Sequence, residues 1–239
     1  AYDVELAWLS GMLHDVGRFE QIKRYNTFSD ADSVDHAKFG ADLLFKDGLI
    51  STFLKGMVKC TGYKPGALED RYDSDGVFLY DRLNKSDMEM LELAIRCHNM
   101  YRIPQGLNSR EQAFCNVLRD ADKVDIFKVN IDTPLEEIYN TTTEELMKSD
   151  ITDEVLEAFD EEHCILKAIR RTPADTVIGH VSLAYELVYD ESVRITVEQG
   201  YLAKLMHFHS DNEETNRKMA MVREKMDSYV KKRIGEKDA

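Results

Sequence analysis

Cysteine is scarce in this chain of 239 residues: Cys60, Cys97, Cys115 and Cys164 are all there is, with no CxxC spacing among them. That excludes the disulfide framework of a small secreted protein and points to reduced thiols in a cytoplasm. Positive charge is also in deficit, 31 Lys and Arg against 45 Asp and Glu, for a formal net charge of −14. Such a balance opposes nonspecific attraction to nucleic acid or anionic lipid, and no basic stripe marks a nucleic-acid groove. No apolar run approaches the roughly 20 residues that span a bilayer. Internal repeats and low-complexity tracts are missing, and the start shows no charged n-region, apolar h-region or cleavage site. The chain opens inside a helical pattern, as expected of a segment of a longer polypeptide.

What is present is ordinary for a globular protein: 43% hydrophobic and 32% charged residues, enough to bury a core without disulfides. The apolar positions recur at helical spacing throughout, so the expected fold class is all-α. The first helix, Val4 to Leu13, is nearly all apolar and carries His14-Asp15 in its last turn, with Gly17 read as a left-handed helix stop. A Ser- and Asp-rich stretch from Asn26 to Asp35 follows as a loop able to cover a site. A second helix starts near Ser33, and a short one spans Leu49 to Cys60. An irregular insertion runs from Thr61 to Leu83. Ser86 with Glu89, and Ser109 with Gln112, read as N-terminal caps of two further helices. The first of these ends at His98-Asn99 and the second leads into Asp120-Ala121-Asp122-Lys123-Val124-Asp125. Beyond about Asn130 the pattern stays helical, over Thr143 to Met147, Thr152 to Ala168, Val177 to Tyr189, Ser192 to His209 and Glu213 to Arg233, with breaks at Pro134 and Pro173. Its Tyr, Leu and Met stripes read as packing faces. The organisation expected is a core over residues 1–130 and a helical extension packed on it over 131–239.

Several polar residues fall on or beside the inward faces of these helices: His14, Asp15, His36, His98 and Asp122, from four separate helices. A buried His and Asp carry a large desolvation cost unless paired or metal-bound. Neutral imidazoles with carboxylates suit Mn, Fe, Ni, Co or Zn, and the lack of thiolates argues against a structural zinc site of the finger type. Asp120 reads as part of a solvated face, and His163, His180, His207 and His209 fall outside the set.

In four places the sequence resembles the HD-domain superfamily of metal-dependent phosphohydrolases. These are Leu13-His14-Asp15-Val16-Gly17-Arg18, the step from His36 to Gly40-Ala41, the His98-Asn99 helix end and Ala121-Asp122-Lys123-Val124-Asp125. The resemblance implies an HD-type helical bundle with a C-terminal helical extension. It assigns His14, Asp15 and Asp122 to a first divalent metal and places His36 and His98 where members with two metals have additional ligands, Asp15 then bridging. The family's pattern begins with another histidine some thirty residues before the doublet, ahead of residue 1. The GYP segment of the cyclic-dinucleotide phosphodiesterases does not follow His98-Asn99-Met100-Tyr101.

The function expected is therefore hydrolysis of a phosphomonoester or phosphodiester, in a nucleotide or another small phosphorylated molecule, by water activated on one or two ions. Arg18 and Lys123 flank the ligands and are candidates to neutralise phosphate oxygens, against the alternative of surface ion pairs. Two other readings compete: a non-catalytic ligand-binding or regulatory module of the same fold, and a di-iron oxygenase. The second half also offers a homodimerisation surface.

Overall fold

The computed structural model describes residues 2–59 and 83–235, and every regular element among them is helical. The insertion expected from Thr61 lies outside the described residues up to Arg82. The chain divides into two compact units, Ala1–Arg119 and Asp120–Ala239, and the division falls inside one long helix, ahead of the change of character expected near Asn130. None of the described helices is long and apolar enough to cross a membrane.

The first unit holds α1 (Tyr2–Leu13), α2 (Val16–Tyr25), α3 (His36–Ala41) continued by a π-helical turn at Asp42–Lys46, α4 (Leu49–Lys59), α5 (Lys85–Cys97) and the start of α6 (Ser109–Asp132). Leu6, Leu9 and Leu13 of α1 form a core with Leu44, Ile50, Leu91, Ile95, Phe114 and Leu118. Each such side chain contributes about 1.5–3 kcal/mol by leaving water. A polar network centred on the buried Asp87 fixes α1 against α5. The Tyr2 hydroxyl donates to Asp87 Oδ2 at 2.6 Å, and Arg110 Nη1 donates to Asp87 Oδ1 at 2.8 Å.

The caps differ from those expected. α5 begins two residues earlier than Ser86 implied: Asn84 Oδ1 accepts from the Asp87 amide, and Asp87 Oδ2 accepts from the Asn84 amide. Likewise Asn108, rather than Ser109, caps α6, accepting from the amides of Arg110 and Glu111 while Glu111 accepts from the Asn108 amide. In both cases an Asn-x-x-acid box overlaps the Ser-x-x box, and Asn is at least as good an N-cap as Ser.

Gly17 is not a left-handed stop. α1 ends at Leu13, His14 and Asp15 form the turn, and Gly17 lies within α2, outside the positive-φ glycines Gly48, Gly106, Gly200 and Gly235. Its reason is close approach. A Cβ at Gly17 would stand 2.2 Å from the His36 carbonyl oxygen and 2.8 Å from the Gly40 nitrogen; one at Gly40 would stand 2.9 Å from the Gly17 nitrogen. The pair lets the backbones of α2 and α3 touch, which sets His36 beside Asp15.

The second unit comprises the rest of α6, α7 (Leu135–Tyr139), α8 (Thr143–Lys148), α9 (Asp153–Asp160), α10 (Pro173–Val181), α11 (Asp190–Gln199), α12 (Tyr201–Met206) and α13 (Glu213–Ile234). Its core includes Phe127, Ile151, Phe159, Ile178, Leu205, Met219 and Met226, so the Leu and Met stripes are packing faces. Three expected helices are shorter than their periodicity: one stops at Asp160, ahead of Glu162 in a left-handed conformation, one leaves α-helix at Val181 for a 3-10 turn over Ser182–Glu186, and one breaks at Gly200, with φ 71°. Asp120 is not solvated. It is buried and accepts from the amides of Val188 and Tyr189, all at 3.0 Å, where α11 begins.

Candidate metal centre

The turn between α1 and α2 presents His14 and Asp15 side by side, and α3 and the end of α5 bring His36 and His98 to them. His36 opens α3, whose N-cap Asp35 accepts from the Lys38 amide at 3.2 Å. His98 sits at the C-terminal end of α5, and both it and His36 are buried. The doublet is less enclosed than expected: the His14 side chain keeps 20% of its surface exposed and that of Asp15 45%. Even so, Asp15 Oδ1 itself is buried without a hydrogen bond.

Around that oxygen stand His36 Nε2 at 3.3 Å and His98 Nε2 at 3.5 Å, while His14 Nε2 lies 3.6 Å from Asp15 Oδ2. The His14 and His98 rings meet edge to face with centroids 4.9 Å apart. Ligand atoms of His14, Asp15 and His98 all fall within 4.8 Å of one another. Burial works to raise the Asp15 pKa, but a hydrogen bond from the His98 imidazolium and the positive charge that His14 and His36 carry when protonated prevail and hold it at about 2.

Each imidazole uses its other nitrogen elsewhere. His14 Nδ1 is 2.7 Å from the Gly11 carbonyl oxygen, His98 Nδ1 is 2.7 Å from that of Ile95, and His36 Nδ1 is 2.7 Å from Asp30 Oδ2. These partners only accept, so Nδ1 carries the proton in all three rings and each neutral ring presents an Nε2 lone pair. With all three rings neutral, His36 Nε2 and His98 Nε2 face each other as lone pairs 3.0 Å apart. Two such lone pairs repel unless a proton or a metal ion is shared between them. Ring nitrogens tied to carbonyl or carboxylate acceptors, with opposite nitrogens converging on a carboxylate, are the arrangement of metal-ligating histidines. The donor set fits a divalent transition ion, whose bonds to imidazole nitrogen are about 2.0–2.1 Å. Cys97, next to His98, offers no thiolate because burial pushes its pKa up.

Of the residues singled out in the sequence, His14, Asp15, Arg18, His36 and His98 come together within the first unit. Asp122 and Lys123 belong to the second unit, on α6, the former half-buried and the latter buried. Arg18 Nη1 donates to Gln21 Oε1 at 3.1 Å, the Phe28 carbonyl at 2.7 Å and Asp30 Oδ1 at 3.1 Å, and its Nε is 3.9 Å from Asp15. Its guanidinium thus joins Asp15 to the Asn26–Asp35 loop.

Four residues support the site; Asp30, Gln21 and Arg119 had no role in the sequence reading, and Asn99 had one only as the residue after His98. Asp30 accepts from His36, Arg18, Gln21 and Asn99. Burial works against its charge, yet the bonds from His36 and Gln21 and the Arg18 charge hold its carboxyl well below the usual range. Gln21, fully buried, also donates to Ser33 Oγ and the Val34 carbonyl. Asn99 ties the α5 end to Asp30 and Asp35. Arg119 reaches from α6 to the carbonyls of Cys97, Met100 and Tyr101 around His98. The available signals were the acid-rich loop ahead of His36 and the Asn following His98.

No family model, curated protein or solved structure matches the chain.

Proposed function

We infer that this chain is a metal-dependent phosphohydrolase of a small phosphorylated molecule, with His14, Asp15, His36 and His98 as ligands. The HD-domain resemblance also implies a ligand role for Asp122. The observation that carries the reading is the convergence of three imidazole Nε2 atoms on the Asp15 carboxylate, with every Nδ1 at hydrogen-bonding distance from a group that can only accept. A divalent ion held there lowers the pKa of water towards neutrality and offsets charge on a phosphoryl oxygen. The chain itself contributes orientation and charge. The Gly11 and Ile95 carbonyls aim the His14 and His98 rings, Asp15 holds a full negative charge, and Arg18 balances Asp15 and Asp30. Lys123 is the second cationic residue assigned to phosphate.

Elemental analysis of the purified chain after reconstitution with Mn, Fe, Co, Ni or Zn, together with release of p-nitrophenol from its phosphate mono- and diesters, tests this. At least one ion per chain is expected, with metal-dependent release that Asp15→Ala and His98→Ala lower by about two orders of magnitude or more. A chain that takes up none of these ions is not an enzyme of this class. A chain that takes up an ion and binds nucleotides without cleaving them is a regulatory module.

A further inference from the structure

His14 and His98 are aimed by backbone carbonyls, which substitution leaves in place. His36 is aimed by a side chain, and that difference makes Asp30 consequential. We propose that Asp30 is the positioning residue that turns His36 into a metal ligand. It holds the ring proton on Nδ1 and thereby ties His36 ligation to the Asn26–Asp35 loop. This rests on the metal-binding reading above only in the last step, since the tautomer is a property of the metal-free chain.

The Asp30 carboxylate touches His36 Nδ1 through both oxygens, at 2.9 Å and 2.7 Å. Oδ1 also accepts from Arg18 Nη1 at 3.1 Å and Gln21 Nε2 at 3.0 Å, and Oδ2 from Asn99 Nδ2 at 3.3 Å. Four donors from α2, α3 and the end of α5 therefore meet a group that can only accept. With both oxygens occupied by donors, His36 has no choice of tautomer, and its Nε2 lone pair faces Asp15 and His98. The loop is held by the same centre, through Arg18 to the Phe28 carbonyl and through Gln21 to Ser33 and Val34. An Asn at position 30 keeps the shape but brings an NH2 to one of the two oxygen positions. If its oxygen stays with Arg18 and Gln21, the NH2 faces His36 Nδ1, which must become the acceptor, and the ring proton moves to Nε2. A lone pair that pointed at the site becomes an N–H.

The experiment uses the whole chain, wild type and Asp30→Asn, with Ser33→Ala as a loop variant that leaves Asp30 in place. Proton–nitrogen NMR correlations of the histidine rings, recorded metal-free near pH 8, read each tautomer, and zinc affinity is measured by chelator competition. The wild type is expected to show Nδ1–H for His14, His36 and His98. In Asp30→Asn the His36 proton moves to Nε2 while His14 and His98 are unchanged, and zinc binds about 10- to 100-fold more weakly. Ser33→Ala should keep both the tautomer and the affinity. An Nε2–H tautomer of His36 in the wild type overturns the proposal without any variant. So does an Asp30→Asn chain with unchanged tautomer or unchanged affinity. If the wild type binds no zinc, the metal reading falls, while the tautomer shift still decides whether Asp30 sets the proton position.

Discussion

Arg119 shows how much of the site is supported from outside it. Its guanidinium is buried and bonded to three carbonyls at the corner that carries His98, so the charge both satisfies backbone acceptors past the end of α5 and fixes the imidazole that follows Cys97. Arg119→Met keeps much of the packing and removes these bonds. We expect a loss of about 1–3 kcal/mol of stability in denaturant titrations and weaker metal binding with unchanged stoichiometry. Retained stability and affinity would make the contact incidental. His36 and His98 were legible because helical spacing turns them inward, whereas His14 and Asp15 were expected in a buried last helical turn and instead form the more open turn between α1 and α2. Arg119, Gln21 and Asp30 were not legible, because a polar residue on a helix or loop reads as solvated until its partners are known. Asp30 and Asn99 are 69 positions apart.

Among the elements, most helices were legible, α2 and α7 were not expected, and helix ends were the least legible. Asn84 and Ser86 both precede an acid by three residues, and only contacts from elsewhere distinguish them: Asp87 is also held by Tyr2 and Arg110, which favours the earlier start. Thermal or chemical unfolding should therefore find Asn84→Ala destabilised by about 1 kcal/mol and Ser86→Ala within about 0.5 kcal/mol of the wild type. The reverse order would place the cap at Ser86. Asp120 illustrates a different limit. Its neighbours made it look solvated, but the amides opening α11 needed an acceptor, and they lie nearly seventy residues further along.

For the whole molecule, the two units carry different acid sensitivities. In the second, His180 donates through Nδ1 to Asn130 Oδ1, which also accepts from the Tyr139 hydroxyl. Burial, with the nearby charges of Arg170 and Lys167, lowers its pKa to about 3. The unfolded chain takes up that proton near pH 6.5, so the folded state loses stability as pH falls from there towards 3, by up to about 1.4 kcal/mol per pH unit. Asp15 and Asp30 of the first unit act lower on the scale: their depressed pKa values stabilise the fold above about pH 4, and this is lost as pH falls further. Calorimetry between pH 7 and 4.5 should show a falling midpoint in the wild type and a flatter one in His180→Gln, which keeps a donor for Asn130. Equal slopes would mean that His180 is protonated in the fold.

The contact of Gly17 with Gly40 has a mechanical consequence. The spacing between the helix that Asp15 begins and the helix that His36 opens is set by peptide atoms meeting peptide atoms. A separation of that kind behaves as a stop and not as a spring: rotamer changes in the surrounding core can soften or stiffen the unit without altering it. Substitutions at Leu44 or Ile95 are then free to change how long the fold survives, while the gap between carboxylate and imidazole stays gauged by two residues that have no side chain to vary.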